Sequence, residues 1–230
     1  MPVDLPKTLA AWRTSLCPRI ELATLISRNP TAHKWKATYR SIVLRELVAW
    51  RLVELLEHTS ILMSQGCTLG AVLLVRGALE TLSILIYLNS KTAAVVRDEV
   101  SFFDFCDTTS RLMLGSKNKS TSCSAINIIT VLEQCEKKYP GISQQYADLS
   151  ESAHPNYNGV CSGFSQIDEN NFTTEFLSRW DEKYRDRLPL AIELCVEVFQ
   201  HEYNTDWTEA FENLEAWLVA KDAWLEANKT

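Results

Sequence analysis

Glycine and proline are scarce in this chain, with seven of each among 230 residues. Most lie outside the long apolar stretches, so little interrupts helices, which both residues weaken or break. A basic excess is also missing. Lys and Arg total 23 against 29 Asp and Glu, a formal net charge of −6. That excludes a broad surface for gripping duplex phosphates and leaves room only for a local one. Paired cysteines are lacking as well. Cys17, Cys67, Cys106, Cys123, Cys135, Cys161 and Cys195 are scattered, odd in number and form no CxxC. They carry no zinc-type spacing and point to reduced thiols in a reducing, cytoplasmic compartment. The opening MPVDLPKTLAAWRTSL has no basic segment followed by a long apolar core, so no signal peptide is expected. GxGxxG, P-loop, HExxH and GxSxG patterns are absent, as are the paired ExxH clusters of a di-iron bundle. No cofactor and no metal are expected.

What is present is helical periodicity. The composition, 46% hydrophobic and 23% charged, suits an ordinary folded chain. Residues 4–28 read as two short helices divided at Pro18. Thr31 is placed to cap a long helix to about Ser64, with Leu44, Val48, Leu52, Leu55 and Leu62 as its apolar stripe. Thr68 opens a second long helix ending near Asn89, apolar nearly all round and so expected to be the most buried element. It is long enough to span a bilayer. Arg76 and Glu80 near its middle make a buried bundle helix the better reading, and no membrane association is expected. Further helices are predicted over 92–114, 124–138, 142–153, 174–203 and 206–227. Residues 155–173 break the pattern, with GVCSGFSQI and NNFTTEF able to pair as a hairpin across Asp168-Glu169-Asn170. The expected fold is all-α, one helical domain over 1–230. Its core covers about 31–203, with helices 4–28 and 206–227 packed on it and a small irregular or hairpin insertion at 155–173.

Three constellations bear on chemistry. Arg76 and Glu80 are four apart and share a helical face within apolar flanks. They read either as a structural ion pair or as a polar pocket in which Arg76 holds an anion. In SESAHPNYNG, His154 stands before Pro155, which restricts its backbone and can aim the imidazole. It reads either as a helix C-cap or as a proton-transfer group. Glu151 and Asn156 are placed to set its tautomer or share its pocket. Arg51, Glu54 and His58 fall on one helical face, better explained as a solvated surface. His33 also follows Arg28 with four residues between, but Pro30 interrupts that segment and the match reads as chance.

Three features together carry a family resemblance: GAVLLVRGALETLSILIYL, the later LSESAHPN, and the Gly-containing NYNGVCSGFSQIDENNF. They resemble a divergent branch of the HEPN superfamily, helical proteins common in toxin and anti-phage systems. In that branch a central Arg-x-x-x-Glu helix accompanies a later Ser-x-x-x-His-Pro. The resemblance covers about residues 40–200. It implies a helical bundle, a homodimer, an RNA or nucleotide ligand, and in many members metal-independent ribonuclease activity. Arg76, Glu80 and His154 are then the candidate catalytic residues, with Asn156, Tyr157, Arg51 and His58 as candidate binding residues. The superfamily's usual Arg and His on one helix fit Arg51 and His58 in spacing, although Leu52 stands where a polar residue is usual. The alternatives are a non-enzymatic helical interaction or regulatory protein that binds a protein partner and uses Arg76–Glu80 structurally, and a bundle with a small-molecule pocket.

Overall fold

The computed structural model describes residues 4–229. It is all-α apart from one short hairpin. In chain order the helices are α1 (Leu5–Ser15), α2 (Leu22–Arg28), α3 (Pro30–His33), α4 (Lys36–Ser64), α5 (Thr68–Val96), α6 (Phe102–Leu114), α7 (Ile128–Cys135) and α8 (Ile142–Ala153). A π-helical turn (Tyr157–Cys161) and α9 (Ser162–Phe164) lead into strands β1 (Ser165–Asp168) and β2 (Thr173–Phe176). Then come α10 (Trp180–Tyr184), α11 (Arg187–His201), a second π-helical turn (Glu202–Asp206) and α12 (Trp207–Ala227).

Local chemistry explains where the elements depart from the sequence reading. Asn29, not Thr31, caps the helix after the first break, its side-chain oxygen accepting from Ala32 N at 3.1 Å. The chain then bends at Lys34–Trp35 before α4, where the Thr38 hydroxyl donates to Trp35 O at 2.8 Å. α5 does not end near Asn89 but continues to Val96. Asn89 is buried there and its amide donates to the Glu202 carbonyl and carboxylate at 3.0 and 2.7 Å. The stop comes later, at Asp98, whose positive φ of 57° lets Glu99 N bond back to Ala94 O. Ser101 caps α6 through Phe103 N. Asn127 caps α7 through Ile129 N, which delays that helix from the expected 124 to 128. Glu136 closes the N-terminus of α8. Its carboxylate accepts from Gly141 N at 2.7 Å and Ser143 N at 3.0 Å, bonds that hold its pKa below the usual range.

The hairpin is present but shorter than its sequence limits. Ser165–Phe176 and Asp168–Thr173 are the end pairs of an antiparallel ladder. Asp168 holds the turn by accepting from Asn170 N and Asn171 N. The Gly159–Gly163 portion is helical instead, and a Cβ at Gly163 would fall 2.5 Å from the Trp180 ring, so glycine lets the chain pass close over that indole. The predicted 174–203 helix is therefore β2, α10 and α11.

Contacts within the described residues group into two compact units. The first comprises Met1–Ser15, Trp50–Leu82 and Cys135–Val198; the second comprises Leu16–Ala49, Ser83–Gln134 and Phe199–Thr230. The first unit buries Leu52, Leu56, Val72, Val75, Leu79, Leu82, Trp180 and Leu188. The second is built on aromatic packing. Trp35 meets Phe102 edge-on at 5.3 Å, and Trp207 stacks on Phe211 at 4.5 Å. α5 is long and apolar enough to cross a membrane, and 56% of its most apolar window is buried within the protein. Each of its fully buried leucines contributes about 2 kcal/mol.

Candidate functional site

In the first unit, α5 and α8 face each other through two pairs at helical spacing. Arg76 and Glu80 form an ion pair at 3.0 Å, each side chain about 30% exposed. Tyr146 and Ser150 answer from α8. Arg76 Nε donates to Ser150 Oγ and Arg76 Nη2 to Tyr146 Oη, both at 2.9 Å. Tyr146 Oη in turn donates to Glu80 Oε1 at 2.9 Å. The Arg76 guanidinium carbon also stands 5.2 Å from the Tyr146 ring centre. Its Nη1 makes no hydrogen bond among the described residues, so two N–H donors remain for an anion. The charges sit in an apolar helix, yet each keeps about 30% of its side chain in solvent, so the desolvation cost is smaller than for a sealed pair.

Ser150 belongs to the Ser-x-x-x-His-Pro segment, and His154 follows it by four residues, about one helical turn. The His154 backbone is extended, at φ −89° and ψ 145°, as the following proline requires. Its imidazole is exposed and has no hydrogen-bond or ion-pair partner among the described residues. The expected help from Asn156 and Glu151 goes elsewhere. Asn156 Nδ2 donates to Glu151 at 2.7 Å, while its Oδ1 accepts from Gly159 N at 2.9 Å and caps the π-helical turn. Both groups are consumed in holding the backbone beyond His154. A Cβ at Gly159 would stand 1.9 Å from His154 O, so only glycine permits this close return. Tyr157 is 73% exposed. Lys183 anchors the same turn through Asn158 O and Ser162 Oγ, and burial pulls its pKa down.

Arg51 and His58 are not joined by a bond. Arg51 Nε donates to Thr81 Oγ at 3.1 Å, tying α4 to α5, and His58 is exposed. Tyr146 and Ser150 are the members that the sequence reading left out of the site. Their spacing of four, repeating that of Arg76 and Glu80, was the available signal.

In a second cluster, in the second unit, Arg28 and His33 meet although Pro30 stands between them in the sequence. Pro30 occupies the first position of α3, where its missing N–H has no partner to lose, so the helix forms and brings the two side chains together. Arg28 Nη2 lies 3.2 Å from His33 Nε2, and both groups pair with Glu215, His33 at 2.8 Å. On the other side of the ring, His33 Nδ1 lies 3.3 Å from Thr38 Oγ. His33 is 1% exposed at its side chain, and burial holds its pKa below the ordinary value, with Glu215 opposing and Arg28 reinforcing the shift. Burial also pushes the Cys106 thiol up to about 11 and the Cys195 thiol to about 12, which removes both as nucleophiles near neutral pH. Among the described residues no cluster of three His, Cys, Asp or Glu side chains is arranged to hold a metal ion.

No protein-family model, curated protein or solved structure matches this chain.

Proposed function

We propose that the Arg76–Glu80–Tyr146–Ser150 cluster and the adjoining His154 form a phosphate-directed site of a HEPN-like helical protein that acts on RNA without a metal. The observation that supports this most is the junction of the two motif segments, in which Arg76 reaches Ser150 at 2.9 Å with Nη1 left over. In this reading Arg76 holds a phosphodiester through Nη1. Glu80, Tyr146 and Ser150 fix the guanidinium plane. His154 removes the proton from a ribose 2′-hydroxyl, whose oxygen attacks phosphorus. The bond to the 5′ oxygen breaks, that oxygen takes a proton from water, and a cyclic phosphate remains. Arg76 stabilises the charge that builds on the phosphate oxygens. The acidic chain makes this a local grip on single-stranded RNA.

The test is incubation of purified protein with a single-stranded RNA, with and without chelator, followed by analysis of the ends produced. Cyclic phosphate ends in both conditions, lost in Arg76→Ala and in His154→Ala, are expected. Absence of cleavage, or cleavage retained in both variants, removes the assignment. A structural reading is favoured by one observation: Ser150 and Tyr146 already take two hydrogen bonds from Arg76, and Glu80 pairs with its charge. Under it Arg76→Ala lowers the melting temperature and touches no activity.

A further inference from the structure

On the far side of α8 from Arg76, and still within the first unit, lies a cleft of about 580 Å³ between α8 and α11. That volume falls within the span of roughly 300–1,000 Å³ typical of small-molecule sites. Its walls are mainly apolar, among them Tyr139, Ile142, Leu149, Ala191 and Leu194. Tyr184 contributes ring rather than hydroxyl. Its Oη is engaged with Ser152 Oγ at 2.5 Å and Asp148 O at 3.2 Å. The polar groups are few and uneven in sign. Asp148 already accepts from Gln144 Nε2 at 2.8 Å. Opposite stands Arg187, exposed at the start of α11, with no hydrogen bond or ion pair among the described residues. Lys138 adds a second positive charge at the rim.

We propose that this cleft binds a small organic carboxylate with an apolar body. The planar guanidinium of Arg187 presents paired donors that match a carboxylate's two oxygens, and the apolar walls take the hydrocarbon or aromatic remainder. Arg187, with no ion-pair partner among the described residues, favours an anion over a cation. A bare inorganic anion leaves the apolar walls wet, and a neutral ligand leaves Arg187 unanswered. The cleft shares no lining residue with the Arg76 cluster, so the assignment stands independently of the ribonuclease reading.

Phenylbutyrate is a suitable probe, with phenylbutanamide as its neutral counterpart and inorganic phosphate as the bare anion, each titrated calorimetrically into the full chain. Saturable one-to-one binding of phenylbutyrate is expected, weakened about tenfold or more by loss of the ionic contact, either in phenylbutanamide or in Arg187→Gln. Leu190→Glu supplies a second variant. Leu190 is 63% exposed at the rim, so the change spares the fold while repelling the carboxylate. Arg76→Ala leaves the affinity unchanged. No saturable binding overturns the proposal. So does equal affinity for the amide, equal affinity for phosphate, or unchanged affinity in Arg187→Gln and Leu190→Glu.

Discussion

Two clusters in this protein use nearly the same groups to opposite ends. Arg76 with Glu80 and Arg28 with Glu215 are both arginine–glutamate pairs joined to a third polar side chain. The first keeps about 30% of each charged side chain in water. The second keeps Arg28 57% exposed but sets Glu215 against His33, of which 1% of the side chain is exposed. Burial decides what each cluster can do. A half-open arginine with a spare nitrogen can take up an anion. A sealed histidine between two charges is committed to its neighbours and serves as a clamp between α3 and α12.

The sharpest way to break that contrast is to remove the acid from each. Glu215→Ala takes the hydrogen-bonding carboxylate from the buried His33 ring and is expected to cost about 2 kcal/mol. Chemical denaturation measures it. Equal losses in Glu215→Ala and Glu80→Ala would erase the distinction. The next effect is in pH. The folded pKa of His33 is depressed below 6.5. Above about 6.5 both folded and unfolded states carry a neutral ring and nothing changes. As pH falls below it the unfolded chain takes the proton first, so stability drops until the lower folded pKa is reached. The slope is at most about 1.4 kcal/mol per pH unit. His33→Gln should remove this component from the stability–pH curve, and an unaltered curve would show that the clamp does not titrate. Glu80→Ala comes third, at about 1 kcal/mol or less, because its pair is partly solvated. Tyr146→Phe is the smallest, about half a kcal/mol, since Arg76 and Glu80 still meet directly. Its melting temperature should sit close to wild type, and a large drop would mean that the hydroxyl carries more of the α5–α8 contact than the Arg76–Ser150 bond does.

Much of the helical frame was legible from the sequence. The apolar run of α5, the Arg76–Glu80 face and the hairpin turn at Asp168 all follow from spacing and turn chemistry. The misses have particular causes. Asn89 reads as a helix terminator on propensity, but burial against Glu202 keeps it inside α5, a tertiary contact that no local window contains. Pro30 reads as a barrier between Arg28 and His33, although at the first position of a helix it permits their approach. Glu215 lies 182 positions beyond His33, so its part in the cluster is invisible until α12 is placed. For the Arg76 cluster, one helix was legible, and the facing Tyr146–Ser150 pair needed the partner helix to give its spacing meaning.

The order in which the units draw on the chain has a consequence for synthesis. The last segments needed are Cys135–Val198 for the first unit and Phe199–Thr230 for the second, while α4 and α5 supply residues to both. A ribosome therefore releases α5, a helix long and apolar enough to cross a membrane, long before the later segments that complete each unit exist. Any single cut between Leu16 and Val198 leaves neither unit whole. A growing chain of this kind must hold a long apolar segment only partly covered through much of translation, an interval in which aggregation competes with folding and chaperones find their substrate.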